Sequence, residues 1–250
     1  MAIKHVVLDW NGTLCDMVDD TSVMRRIAVA ILKGHFKAIL SGRIDRVGAV
    51  ARFARGRVAL SRAKKRFYSG EIGIASLYEP FNHDMLEGAP IHLVERVAPA
   101  HGREHAHLID QRLLVPALAA RDGGATLTIF SAAFDGGIRA ILKAANVDID
   151  DIVSNTLENA DGRAIGFTAK YRDDKSGDFR REFIERRGWL PEEIMYAGDA
   201  EVDEPIAAIL PPGNFLVPFL ADERFEAHMR TTYEASTPEG PGDLTALLGG

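Results

Sequence analysis

The stretch Ile3-Lys-His-Val-Val-Leu-Asp-Trp-Asn-Gly-Thr-Leu14 decides the fold. Its Val6-Val7-Leu8 run is β-branched and aliphatic with no polar alternation, which is how a strand buried on both faces of a parallel sheet reads. The run stops at Asp9, and Trp10-Asn11-Gly12-Thr13 follows. Open α/β sheets place their chemistry at the carboxyl ends of their strands. Asp9 falls at such an end. Gly12 lets the chain turn sharply and bring its backbone close to a bound group. The plain alternative is a strand exit with an Asp in the turn, and three later stretches argue against it.

Outward from this strand, two kinds of sequence alternate. Residues 15 to about 106 read as helical. Leu40, Ile44, Val47, Ala51, Ala54 and Val58 recur at spacings of four and three, which predicts one apolar helical face. A second helical stretch runs from about Ile74 to Met85. From Leu108 the character changes. A helix over 110–120 ends at Asp122-Gly-Gly124, and the strand Thr126–Phe130 follows, ending at Ser131. A helix over 137–145, a short strand at Ile152-Val-Ser154, a helix from Ser176 to Arg187, and strands at Ile194–Ala197 and Phe215–Val217 complete the series. Strands alternating with helices predict a doubly wound parallel sheet of five strands. The expected division is an α/β core of residues 1–16 and 107–250 with a helical insert of 17–106, a size that suits a small accessory domain. Residues 234–250, rich in Pro, Gly and acids, read as a loose tail.

The 250 residues are 46% hydrophobic, enough for one core and a second, smaller one. The net charge of −6 hides an asymmetry. Residues 21–70 hold thirteen Lys and Arg against Asp45 alone, a net +12, which leaves −18 for the rest. A basic segment of this kind can draw polyanions. It lacks the interleaved aromatics that base stacking needs, so nucleic acid is not the expected partner, although the charge leaves it open. The single cysteine, Cys15, has no disulfide partner, which fits a reducing cytoplasm. It reads as a small buried hydrophobe. The chain enters its first strand by residue 3, so a signal peptide is not expected. No apolar run reaches the length of a bilayer span. Oligomeric state is not readable.

Four stretches carry chemistry. Asp9 is the first. Ser131, read at a strand end just before a helix, is the second, because a hydroxyl and backbone N–H groups at a helix N-terminus suit a phosphate oxygen. Lys175, in Asp173-Asp-Lys-Ser176, is the third and can set a point charge against phosphoryl oxygens. Gly198-Asp199-Ala-Glu-Val-Asp203 is the fourth. Carboxylates there, together with Asp9, make a hard oxygen site suited to Mg²⁺. Each has a dull reading taken alone: a helix cap for Ser131, a solvated surface lysine for Lys175. Their order, each at the end of an element, is what argues for a site.

This order resembles the haloacid dehalogenase superfamily, most of whose members are Mg²⁺-dependent phosphatases. The four motifs are matched by Asp9-Trp-Asn-Gly-Thr-Leu14, Ile129-Phe-Ser131, Lys175, and Gly198-Asp199 through Asp203, and the helical insert looks like the family's N-terminal cap. Phe67-Tyr-Ser-Gly70 and Ser154-Asn-Thr-Leu157 with Asp161-Gly162 and Gly166 are similar to the phosphoserine-phosphatase-like branch. The resemblance implies that Asp9 is a nucleophile forming an aspartyl-phosphate. It implies that the Asp9 carboxylate, the Asn11 backbone carbonyl and Asp199 hold Mg²⁺, and that Asp203 orients Lys175 or binds a metal water. Gly12, Thr13, Ser131, Ala132 and Lys175 would position the phosphoryl group of a small phosphorylated metabolite. Lys170 is the second candidate for the motif lysine.

One position departs from the pattern. Most phosphatases of the family carry a second Asp two residues after the nucleophile, and here that residue is Asn11. An amide donates a hydrogen bond but cannot exchange a proton, and general acid–base help is worth roughly 10²–10⁴-fold in rate. Three accounts are open: a substrate with an easily departing group, a proton supplied from the cap or the substrate, or a protein that binds phosphorylated ligands and barely turns them over. Dehalogenation and phosphonate cleavage are weaker alternatives. The retained acids favour phosphoryl chemistry, and no single lysine among Lys33, Lys37, Lys64 and Lys65 stands out as a Schiff-base former.

Two further signals remain. His101 and His105, four apart, match the spacing of some zinc sites but lack an evident third ligand, so a solvated hinge is expected instead. His83 is a candidate substrate-facing residue of the cap.

Overall fold

The computed structural model describes residues 2–17, 21–167 and 174–248. Strand β1 (His5–Leu8) leads into an all-helical excursion. It comprises α1 (Thr21–Leu40), α2 (Val47–Tyr68), α3 (Ile74–Pro80), a wide π-turn at Phe81–Leu86, α4 (Ile91–Glu95) and α5 (Ala98–His105). Then come α6 (Gln111–Asp122), β2 (Thr126–Phe134), α7 (Asp135–Ala144) and β3 (Asp151–Asn155). A hairpin of β4 (Leu157–Ala160) and β5 (Arg163–Phe167) follows. The remaining elements are α8 (Lys175–Phe179) with a π-helical continuation over Arg180–Arg186, β6 (Ile194–Ala197), α9 (Glu204–Ala207), β7 (Phe215–Leu216), α10 (Glu223–Tyr233) and α11 (Pro241–Leu248).

The main sheet has five strands in the order β3-β2-β1-β6-β7, each adjacent pair parallel. The first strand is therefore central, as its unbroken apolar run requires. Alternation sorts its side chains between two cores. Val6 and Leu8 join Leu127, Ile129, Met195 and Ala197 under α6, α7 and α11. Val7 joins Phe130, Tyr196, Phe179 and Phe183 on the opposite face, under α8, its continuation and α10. Val7 and Leu8 are both 0% exposed, and each such side chain contributes roughly 1.5–3 kcal/mol by leaving water.

Among the described residues, α5 and the hairpin β4–β5 both tie the helical excursion to this core. Helix α5 lies on α7 so closely that a Cβ on Gly102 would stand 2.1 Å from the Ala140 carbonyl oxygen. The hairpin clasps the other side: Gly88 N–H donates to the Ala164 carbonyl, Ala164 N–H to that of Ala89, and Ile91 N–H to that of Gly162.

Two expectations need correction, and one pair of strands went unannounced. The spacing from Leu40 to Val58 does not mark a buried face. The chain breaks at Ser41-Gly42, where Gly42 has φ +87°, and the whole stripe lies exposed, Leu40 at 87% and Ile44 at 76%. Helix α2 instead buries Phe53, Gly56 and Ala63 with Leu60 beside them. Both faces are apolar. Packing selects the one with the aromatic ring and with Gly56, where a Cβ would fall 2.5 Å from that of Asp84. The expected loose tail is also ordered over its described part: Leu244 and Leu248 of α11 are buried beside α6. Finally, β4 and β5 carry no core-facing run long enough to announce them; the insert holds them in place.

Candidate active site

Register places the site before any side chain is considered. Leu8 is level with Ile129 of β2 and with Ala197 of β6. The next residues along these three neighbouring strands are Asp9, Phe130-Ser131 and Gly198-Asp199. In this strand order the chain leaves β1 in one direction and later returns on its other side, so Asp9 stands at the crevice where open α/β sheets bind ligands.

Local backbone chemistry shapes each approach. Gly12 has φ +75°, and a Cβ there would lie 2.2 Å from Asp199 Oδ2; only glycine combines that turn with that contact. The loop closes on itself through Gly12 N–H to the Cys15 carbonyl and Cys15 N–H to the Trp10 carbonyl. Cys15 is buried and forms no disulfide, as expected. Gly198 is equally constrained, since its Cβ would meet the Asp203 Cβ at 2.6 Å. Lys175 opens α8. Asp174 caps that helix by accepting from Gly177 N–H at 2.9 Å.

The four stretches converge. Lys175 Nζ lies 3.0 Å from Asp9 Oδ2 and 2.5 Å from Asp203 Oδ1, and Lys175 is 7% exposed. It is therefore no surface lysine. Asp9, Asp199 and Asp203 each offer a carboxylate oxygen, and these oxygens lie within 4.8 Å of one another. No other such cluster of three or more His, Cys, Asp or Glu occurs among the described residues. His101 and His105 therefore lack a third ligand there. Nor is His101 a solvated hinge: it is 1% exposed. His83 is exposed and faces Glu87 at 3.2 Å. Lys170 lies outside the described residues.

Charge crowding shows in the proton affinities. Burial pushes the Asp9 carboxyl up to about 7; Lys175 opposes this, and Asp203 and Asp199 reinforce it. Burial also raises Asp199, against the pull of the Thr13 hydroxyl. Burial alone would lower the Lys175 ammonium, but Asp203 and Asp9 outweigh it and hold it above its ordinary value. The arrangement is a desolvated carboxylate cluster with one fixed cation. It favours a second cation.

Several side chains have partners or placements beyond those expected. Thr13 Oγ1 donates to Asp199 Oδ1 at 2.6 Å, so its proton fixes that carboxylate rather than facing a phosphoryl oxygen. Asp203, expected among the metal ligands, is 0% exposed, and both its oxygens are engaged. Oδ1 accepts from Lys175 and from Tyr196 Oη, each at 2.5 Å, and Oδ2 accepts from Ala200 N–H at 3.3 Å. Its contact with Lys175 fits one of the two roles the resemblance implies, and its carboxylate stays within the cluster with Asp9 and Asp199. Ser131 is not at a helix start, because β2 continues to Phe134 through a register shift and Phe134 precedes α7. Its Oγ accepts from Ala133 N–H at 3.2 Å, and Asn155 Nδ2 ties down the Ala132 carbonyl at 2.7 Å. Tyr196 was missed by sequence reading. The available signal was a phenol in an otherwise apolar strand, two residues before Gly198.

The donor set fits a hard divalent cation. Asp9 Oδ1 and Asn11 Oδ1 are buried with no hydrogen-bond partner, which is costly unless something else satisfies them. All donors present are oxygens.

No protein-family model matches the sequence, and no curated protein matches it either. Solved structures do. A HAD-family hydrolase from Salmonella enterica serovar Typhi aligns with 99% of this chain and 72% of its own, at 14% identity and TM-score 0.60. A phosphoserine phosphatase, solved as an analogue of its phospho-aspartyl intermediate, aligns over 95% of this chain and 93% of its own, at 15% identity and TM-score 0.54. A protein of unknown function from Bordetella pertussis Tohama I reaches TM-score 0.62 at 13% identity, over 96% and 99% of the two chains. The chain has the fold of the haloacid dehalogenase hydrolases, in the form seen in phosphoserine phosphatases.

Proposed function

We propose that the protein is a Mg²⁺-dependent phosphohydrolase of a small phosphorylated metabolite, working through an aspartyl-phosphate on Asp9. The observation that carries this reading is the asymmetry of the Asp9 carboxylate. One oxygen is held by Lys175, and the other is buried without a partner beside Asp199. A carboxylate fixed by one oxygen presents the other for in-line attack on phosphorus. Lys175, itself held by Asp203 and Asp9, would meet charge developing on the phosphoryl oxygens. The buried Ser131 and the backbone of Gly12 and Ala132 would seat that group. Asp9, Asp199 and the Asn11 backbone carbonyl would hold the Mg²⁺, which when bound neutralises phosphoryl charge. The helical excursion of residues 17–106 acts as the cap, and the basic charge of 21–70 draws anionic substrates toward the cleft.

Asn11 selects among substrates. It cannot protonate a departing alkoxide, so the reading favours acyl phosphates and other substrates with acidic leaving groups. The same residue supports a second reading, a phospho-ligand-binding protein with little turnover. Both are tested with an activated aryl phosphate and with acetyl phosphate in the presence of Mg²⁺. Turnover is expected, together with its loss in Asp9→Asn and trapping of a beryllofluoride adduct by the parent alone. An adduct without turnover selects the binding protein. Turnover that survives Asp9→Asn removes the nucleophile assignment.

A further inference from the structure

The helical excursion contains a cavity of about 380 Å³ between α1, α2, α3 and the π-turn. Its walls are apolar, with Phe53, Leu77 and Phe81 prominent, and three cations stand among the lining residues: Arg25, Arg57 and Lys64. No acidic side chain is among the described lining residues. None of the lining residues belongs to the Asp9 site.

The void follows from the backbone. Gly56 lets α2 touch the π-turn, where a Cβ would come within 2.5 Å of the Asp84 Cβ and 2.9 Å of Met85 Cγ. Pro80, inside the helix, removes a backbone donor just where the wide turn over Phe81–Leu86 begins. Such turns recur at functional sites. The helices are thus pinned at one point and stand apart beside it. Protein interiors are otherwise close-packed, and an apolar cavity of about 150 Å³ already takes up benzene. By that scale this one accommodates on the order of a dozen carbon atoms. The space lies within the size range of small-molecule pockets, too small for a helix of a partner protein.

We propose that this cavity binds a single-chain amphiphile with an anionic head, its hydrocarbon chain between Phe53, Leu77 and Phe81 and its carboxylate or phosphate against Arg25, Arg57 and Lys64. Charge complementarity specifies the sign of the head, and the apolar walls specify the tail. The site is separate from Asp9 and does not depend on phosphatase activity.

The test is titration calorimetry of the full chain with monomeric laurate, which contains no phosphorus. Saturable 1:1 binding is expected, at least tenfold tighter than for dodecyltrimethylammonium of the same chain length. Arg57→Glu combined with Lys64→Glu, exposed or half-buried positions whose replacement leaves the core intact, should weaken laurate at least tenfold. Ala28→Phe should fill the cavity and abolish binding with an unchanged circular dichroism spectrum. Asp9→Asn should bind laurate as the parent does, so this result stands apart from the fate of the phosphatase reading. Absence of saturable binding overturns the proposal. So does equal affinity for the cationic amphiphile, or binding unaffected by the charge reversals. Binding to phosphatidylglycerol vesicles without binding of monomeric laurate also overturns it, in favour of a bilayer surface.

Discussion

Lys175→Met isolates the electrostatic logic of the site. The ammonium lies 3.0 Å from Asp9 and 2.5 Å from Asp203, both buried. Methionine keeps most of the stem's volume and removes the charge with its hydrogen bonds. What remains is three carboxylates with oxygens within 4.8 Å of one another and no cation between them. Removing one partner of a buried ion pair typically costs about 3–5 kcal/mol, because the other charge is left uncompensated. Asp203 keeps its bonds from Tyr196 and Ala200, which places the expectation near the lower end, about 3 kcal/mol. For a chain of this size 1 kcal/mol shifts Tm by roughly 2–4 °C, so a fall of about 6–12 °C is expected. The assay is urea and thermal unfolding of parent and variant in chelator, repeated in millimolar Mg²⁺. The divalent cation should raise the variant's Tm by more than the parent's, since the variant has the larger unbalanced charge. A loss below about 1 kcal/mol in chelator, the level of an exposed ion pair, would refute the argument that this lysine holds the carboxylates together.

Three further outcomes are expected. Asn11→Asp should raise turnover of an alkyl phosphate by about 10²-fold, the low end of general acid–base assistance; steady-state kinetics on a simple alkyl monophosphate check it. Gly12→Ala should remove most activity, because its Cβ would stand 2.2 Å from Asp199 Oδ2. It should also cost about 1–2 kcal/mol of stability from φ alone, read by urea unfolding. His101 is buried, with its Nδ1 lacking a partner. Burial, then His105 and Arg26, lower its pKa from 6.5 to about 4. Its unfolded form therefore takes up a proton that the folded form refuses, so stability is full above pH 6.5 and falls as pH drops toward 4, by about 3 kcal/mol in all. Unfolding measured across pH 4–7 should show this slope in the parent and a flatter one in His101→Phe.

Much of the site was legible because its parts are local. An apolar run ending in Asp9, a lysine beside a helix start and Gly198-Asp199 after a buried strand each announce themselves within a few residues, and their order along the chain is itself information. Roles were less legible. Thr13 and Asp203 were placed in the right neighbourhood, yet their bonds to Asp199 and to Lys175 join positions far apart in the chain.

What the sequence by itself determined is the parallel α/β core, the central place of the first strand and the residues that meet at its end. These follow from periodicity and from polar residues interrupting apolar runs. The tertiary structure alone decided which face of α2 is buried, that residues 241–248 form a helix against the core, and that Ser131 sits within a strand. Periodicity records which side chains share a face but not what that face meets. Where two faces are comparably apolar, as on α2, the choice falls to the shape of the neighbours: an aromatic ring to fill space and a glycine to allow close approach.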